Sequence, residues 1–286
     1  MKIRIQIFYS LFSLLLASCS TIVQIDQPEL TRQLVLTSTI IPDSSISVFV
    51  THSVGPLAKS GGDSITNATV KLFENGSLLG PLTYNYNGNY ISSFLPQTGK
   101  TYRVEVSASG YNDISAEVRV PDPPSVDTGY ATFTSDQNGD IMNGLVSIDD
   151  PSVENYYLIQ AQFRFNYDTT WMNDTSWAEV QISSDDPTID NTSNGFSQLI
   201  FSDIGFNGGK YSIRFHSNFF NSDTTGTHLR FRIFSLSRDS YLYWISLYKY
   251  YDSNGNPFAE PVQVYSNVSS GMGILGAANV VVKNIY

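Results

Sequence analysis

Residues 68–76 read Ala68-Thr69-Val70-Lys71-Leu72-Phe73-Glu74-Asn75-Gly76, and Ser77-Leu78-Leu79 follow. Val70 and Leu72 alternate with polar residues, and a period of two gives a strand one buried face. Asn75 and Gly76 tolerate positive φ, as a two-residue hairpin loop requires. A strand, a tight turn and a second apolar run predict antiparallel sheet. Working outward, Asn87-Gly88 repeats the turn signal, and Tyr102, Val104 and Val106 repeat the alternation. Strands are expected at Leu34–Thr39, Ser47–Thr51, Ala68–Glu74, Asn89–Phe94, Tyr102–Ser107 and Ala116–Val120. So many short strands in about ninety residues predict a small β-sandwich over residues 31–120.

Val120-Pro121-Asp122-Pro123-Pro124 then breaks the pattern. Prolines cannot donate to a ladder and they stiffen the chain, so a domain boundary is expected here. Residues 121–286 are again strand-rich. Candidates are Gly144–Ile148, Tyr156–Tyr167, Ser176–Ile182, Leu199–Ser202, Lys210–Phe215 and His228–Leu236, with closing strands at Val262–Tyr265 and Asn279–Ile285. The polar stretch Ser183–Gly195 reads as a loop outside the core. In residues 239–251, Tyr241, Trp244, Ile245 and Tyr248 fall at helical spacing on one face. Asp239 is the expected cap, and Asn254-Gly255 the expected end. The fold class is therefore all-β, a sandwich followed by a larger β-rich domain with one helix.

At the start of the chain, Lys2 and Arg4 precede the uncharged run Ile5–Leu16. Such a run is too short to span a bilayer, which takes about 20 apolar residues, and it suits a signal peptide over residues 1–18. Leu16-Ala17-Ser18-Cys19 follows and resembles the lipobox of bacterial lipoproteins, in which the cysteine takes a diacylglycerol. Cys19 is the sole cysteine. The expectation is a mature chain lipidated at Cys19, with residues 19–30 as tether and the acyl chains, palmitate among them, as the membrane contact. Ser20, rather than an aspartate, favours the outer membrane. Only Asp26 and Glu29 lie near Cys19, short of the acidic cluster of surface-exported lipoproteins, so the periplasmic and cell-surface faces both stand.

Loss of residues 1–18 removes two basic residues and no acid, taking the net charge from −10 to −12. A chain this acidic, without a basic cluster in its sequence, is repelled by nucleic acid. With Cys19 acylated, neither disulfide nor thiol chemistry is left to the mature protein.

Several constellations in the sequence resemble chemical sites. Gly271-Met272-Gly273-Ile274-Leu275-Gly276 matches G-x-G-x-x-G, but it lacks the following helix and the acidic residue of a dinucleotide site. Its glycines instead predict a tight turn and close packing before the last strand. His52, His216 and His228 have no metal-ligand spacing, and no G-x-S-x-G elbow is present. No catalytic set, metal or cofactor is expected. Asp136–Asp140 and Asp252–Asn256 are oxygen-rich turns, with Asp252 and Asn254 as candidate calcium ligands, although neither is an EF-hand loop. Trp171 and Trp177 are six residues apart, so on one strand they share a face. They are candidates for ligand stacking, against the alternative of burial or a hairpin clasp.

Four segments together resemble a family of Bacteroidota outer-membrane lipoproteins known as a domain of unknown function. They are Leu34-Val35-Leu36, Ile65–Leu72, the helix opening at Ser240-Tyr241, and Pro257-Phe258-Ala259-Glu260-Pro261-Val262 continuing through Ser266-Asn267-Val268 to Gly271–Ala277. Leu275 stands where the family often has Phe. The resemblance implies an immunoglobulin-like N-terminal domain, a larger β-rich domain, and a partner among TonB-dependent outer-membrane receptors. It implies no catalytic residue. The expected function is a non-enzymatic accessory of such a receptor, with a surface glycan- or peptide-binding protein as the alternative.

Overall fold

The computed structural model describes residues 31–55, 58, 60–136, 139–165, 176–190, 197–219, 227–253 and 258–285. Cys19, the tether, Trp171 and Asn254 lie outside these residues, and so do parts of both oxygen-rich turns.

The first half is a two-layer sandwich. One layer holds β1 (Leu34–Ile40), β2 (Ser47–His52), β6 (Asn89–Ile91) and β5 (Thr83–Tyr86). The other runs β4 (Ser77–Pro81), β3 (Thr69–Glu74), β7 (Thr101–Ser107) and β8 (Ile114–Arg119). Alternation sends Leu34, Leu36, Val48, Val50, Val70, Leu72, Val104 and Val106 into one core between the layers. Each such side chain contributes about 1.5–3 kcal/mol by leaving water. Asn75-Gly76 and Asn87-Gly88 close two-residue hairpins with all four φ values between 47° and 82°, as the sequence predicts. Tyr90 buries its ring and satisfies its hydroxyl, donating to the Ile65 carbonyl at 2.9 Å and accepting from the Ala68 amide at 2.8 Å.

The second half stacks a three-stranded sheet against the rest. That sheet is β14 (Lys210–Phe219), β10 (Gly139–Asp149) and β9 (Val126–Asp136). Facing it are β11 (Tyr156–Phe165), β12 (Ala178–Val180), β13 (Gln198–Ser202) and β15 (Thr227–Leu236). Met142, Val146, Ile159, Phe201, Phe215 and Phe231 fill the space between. Ile189 belongs to this core as well, so the stretch expected to be a loop outside the core contributes one buried anchor. On the other side of β11 and β15 lies α1 (Arg238–Ser253), where Tyr241, Trp244, Ile245 and Tyr248 meet Leu158, Ile200 and Phe234.

The helix begins differently from the expectation. Ser237 is the cap, accepting from the Ser240 amide at 3.2 Å, while Asp239 instead accepts from the Tyr265 hydroxyl at 2.6 Å. Residues 262–265 form no strand; the Tyr265 amide donates to the Ser246 hydroxyl of α1 at 2.8 Å, and Asn267, further along the chain, takes a backbone edge with its side chain. Its side-chain amide donates to the Leu275 carbonyl and accepts from the Leu275 amide, both at 3.0 Å.

The last strand, β16 (Met272–Asn284), starts earlier than expected and joins the two halves. It pairs parallel with β1 and antiparallel with β15 in one nine-stranded sheet. Arg32–Tyr286 accordingly form one compact unit. The proline segment divides the two main cores and leaves this sheet continuous. Gly271 lies in the bend just before the strand, as expected, whereas Gly273 and Gly276 act within it. Gly273 sits at φ 111°, and a Cβ there would lie 1.9 Å from the Leu36 carbonyl oxygen. A Cβ on Gly276 would lie 2.4 Å from the Ser240 hydroxyl. Both positions need glycine so that β1 and α1 can approach β16.

Candidate functional site

Two surfaces of the second half gather polar chemistry, and both grow from strand alternation. The first is the face of β11 and β15 that carries α1. Along it, Tyr156, Leu158, Gln160, Gln162 and Arg164 oppose Leu236, Phe234, Arg232, Arg230 and His228 in antiparallel register. The helix covers the apolar end of these rows. Past Tyr248, whose hydroxyl accepts from Gln198, the face turns polar.

At that polar end Trp177 lies against two cations. The Arg230 guanidinium carbon is 3.9 Å from its ring centroid and that of Arg164 is 5.0 Å away. Cation–π contacts of this kind contribute about 0.5–2 kcal/mol each. The sequence leaves Trp177 open between ligand stacking and burial. The structure makes it half-buried with guanidinium groups on its ring, and its proposed pair with Trp171 lies outside the described residues. Arg230 Nε donates to Gln162 Oε1 at 2.9 Å, and Arg232 Nη1 to Gln160 Oε1 at 3.4 Å. Burial, then the charges of Arg232 and Arg164, push the Arg230 guanidinium below its ordinary range. Burial lowers Arg232 too, against the pull of Glu179. Arg164 Nε is buried without a hydrogen-bond partner among the described residues. Leaving such a donor unmet costs about 1–3 kcal/mol.

The second surface is an open groove of about 510 Å³ on the outer face of the three-stranded sheet. Cross-strand rows Thr132–Asn143–His216 and Tyr130–Leu145–Arg214 form its floor. Residues 183–186 wall one side, held by the paired backbones of Ser183 and His216, each amide donating to the other's carbonyl at 2.8 Å. In that wall Asp186 is only partly exposed. Burial works against its ionisation, but hydrogen bonds from the Thr188 hydroxyl and amide and the Tyr211 hydroxyl hold the carboxyl below its usual range. Tyr130 is 48% exposed at the opposite side. Donors and acceptors thus face an aromatic ring across an open floor, an arrangement suited to binding a polar ligand.

Neither surface is a unit in the sequence; Trp177, His228 and Tyr248 of the first stand out there singly, and its arginines do not. Arg164 and Arg230 meet only through the pairing of β11 with β15. The local signal was the alternation Gln160, Gln162, Arg164 and Arg230, Arg232.

The other candidates are dispersed. His52 is buried in β2, with Nδ1 3.0 Å from the Ser53 carbonyl and Nε2 accepting from the Asp63 amide at 3.2 Å. His216 lies on the groove floor and His228 beside the arginines, and no metal-ligating group of three or more side chains occurs among the described residues. Asp252 is exposed near the end of α1. A buried polar knot lies elsewhere. Asp150 accepts from the Tyr157 hydroxyl at 2.5 Å and from the Gly208 amide at 2.9 Å, and Asp203 accepts from the Asn155 amide at 2.8 Å. Burial and then these carboxylates push the Tyr157 hydroxyl well above its ordinary range, while burial raises Asp203. The knot ties the turns at residues 150–155 and 203–209 and opens on neither surface.

Known proteins add one substantive likeness. The family model described as "Domain of unknown function (DUF4249)" matches residues 20–284. No curated protein sequence matches the chain. Among solved structures, one described as the complete structure of manganese lipoxygenase of Gaeumannomyces graminis and partial structure of zonadhesin of Komagataella pastoris is 10% identical, covering 72% of this chain and 88% of its own, at a TM-score of 0.21. A collagen adhesin from S. aureus is also 10% identical, covering 89% and 94%, at a TM-score of 0.20. Likeness at that level carries no argument for shared fold or function.

Proposed function

This chain belongs to the DUF4249 domain family over residues 20–284, and we propose that it is a non-enzymatic lipoprotein of the bacterial outer membrane. It is anchored through Cys19 and serves as an accessory of a receptor of the TonB-dependent type. The observation that carries a binding role is the open polar groove on the outer face of the three-stranded sheet, with the Tyr130 ring beside fixed donors and acceptors. The anchoring reading draws on the signal-peptide-like start and the lipobox-like segment Leu16-Ala17-Ser18-Cys19. The kinship with Bacteroidota lipoproteins rests on the four sequence segments.

The test is affinity capture of the tagged full chain from intact outer membranes in mild detergent. A stoichiometric β-barrel receptor is the expected partner, and its absence, with the bait recovered intact and lipidated, overturns the receptor reading. A second reading is favoured by the same groove. An exposed tyrosine facing side-chain amide, hydroxyl and guanidinium groups also suits a glycan, since sugars stack on aromatic rings and need paired donors and acceptors.

A further inference from the structure

The arginine face of β11 and β15 is unusual for this molecule. Acidic residues outnumber basic ones 26 to 16, yet three arginines lie in a row on one face of the paired strands, Arg230 between Arg164 and Arg232, with the Arg232 guanidinium 4.7 Å from the Phe234 ring centroid. Their neighbours are chosen so that the charge stays. Gln160 and Gln162, neutral amides, accept from Arg232 and Arg230. Among the described residues none of the three arginines forms a salt bridge. The nearby carboxylate, Glu179, is engaged by Ser197 and by Gln160. The indole of Trp177 covers the Arg164 and Arg230 guanidinium groups without neutralising them, and Arg164 Nε has no acceptor among the described residues.

Like charges gathered in a partly buried place are unfavourable unless an anion joins them. We propose that Arg164, Arg230 and Arg232, beside Trp177, form a binding site for one oxyanion, a carboxylate or a sulfate, carried by a small ligand. Guanidinium groups match such anions through paired N–H donors. Three cations suit a single oxyanion. The chain's overall acidity disfavours an extended polyanion, whose other charges would meet a repulsive surface. The groove around Tyr130 is on the three-stranded sheet and does not enter this site, so this proposal stands apart from the receptor and glycan readings.

The experiment uses the mature chain and three probes: sodium sulfate, sodium glucuronate and neutral glucose, each against sodium chloride at matched ionic strength. Calorimetric titration and thermal unfolding are followed for the wild type, for Arg164→Gln/Arg232→Gln and for Arg232→Lys. The expected result is one-site binding of sulfate or glucuronate, and the tighter probe names the oxyanion. Binding weakens about tenfold or more in the double variant and by less in Arg232→Lys, which keeps the charge and loses the paired donors. Without anion, the double variant melts at a higher temperature than the wild type, because repulsion is relieved. A purely structural clasp on Trp177 predicts the opposite sign. Equal anion-induced shifts in wild type and double variant, or an equal response to glucose, would overturn the site. So would a double variant that melts lower and binds no differently.

Discussion

Between β1 and β8 the buried residues are almost wholly hydrocarbon and aromatic, and the buried polar side chains there are Ser38, His52 and Ser92. Between β10 and α1 the buried set includes Asp150, Gln162, Asp203 and several serines. Both halves use the same strand alternation, so the contrast does not come from architecture. Buried carboxylates and orphaned donors cost stability unless partnered, and the second half carries them where the first does not. The first half reads as scaffold, while the second holds both candidate binding surfaces.

The largest expected effect tests whether the halves are separate at all. Gly273→Ala would set a Cβ against the Leu36 carbonyl in a conformation that L side chains rarely adopt. A loss of at least about 3 kcal/mol is expected. Fluorescence and circular dichroism during urea unfolding should shift together, because β16 serves both cores. Two resolved transitions, with only one displaced, would make the halves independent and break the account of a shared sheet. A smaller effect sharpens the contrast in buried polarity. Tyr157→Phe removes a donor from the Asp150 carboxylate and should cost about 1.5–3 kcal/mol, whereas Tyr90→Phe, between neutral backbone groups, should cost about 1–2 kcal/mol. Equal losses, or the reverse order, in equilibrium denaturation would remove the distinction drawn for the second half. Smallest in stability is Tyr130→Ala, within about 0.5 kcal/mol because the ring is exposed. It should nevertheless abolish any signal on a glycan array. Array binding that survives it would take the glycan reading away from the groove.

Local features were legible in the sequence wherever local physics decides them. Asn75-Gly76 and Asn87-Gly88 announced their hairpins because only a few residue types accept positive φ. The stripe of Tyr241, Trp244, Ile245 and Tyr248 announced α1 through its spacing. Missed was β9, whose core-facing positions include Gly129 and Ala131, too small to register as an apolar alternation. Invisible too was the pairing of β1 with β16, which no local pattern encodes. The arginine face hid for the same reason, since its members come from strands some seventy residues apart and share a face only after pairing. Trp177 was noticed for its distance from Trp171, whereas its place in the fold comes from the cations beneath it.

The parallel seam between β1 and β16 has a consequence for the order of events during biogenesis. The first strand made waits for a neighbour made nearly last, Val35 beside Met272 and Ile40 beside Ala277. Such high contact order makes folding slow and keeps an emerging chain unfinished. Until Asn284 has been released, β1 presents an unpaired edge to whatever escorts the nascent polypeptide. A chain truncated before residue 272 would therefore keep that edge open and become a client for chaperones and proteases.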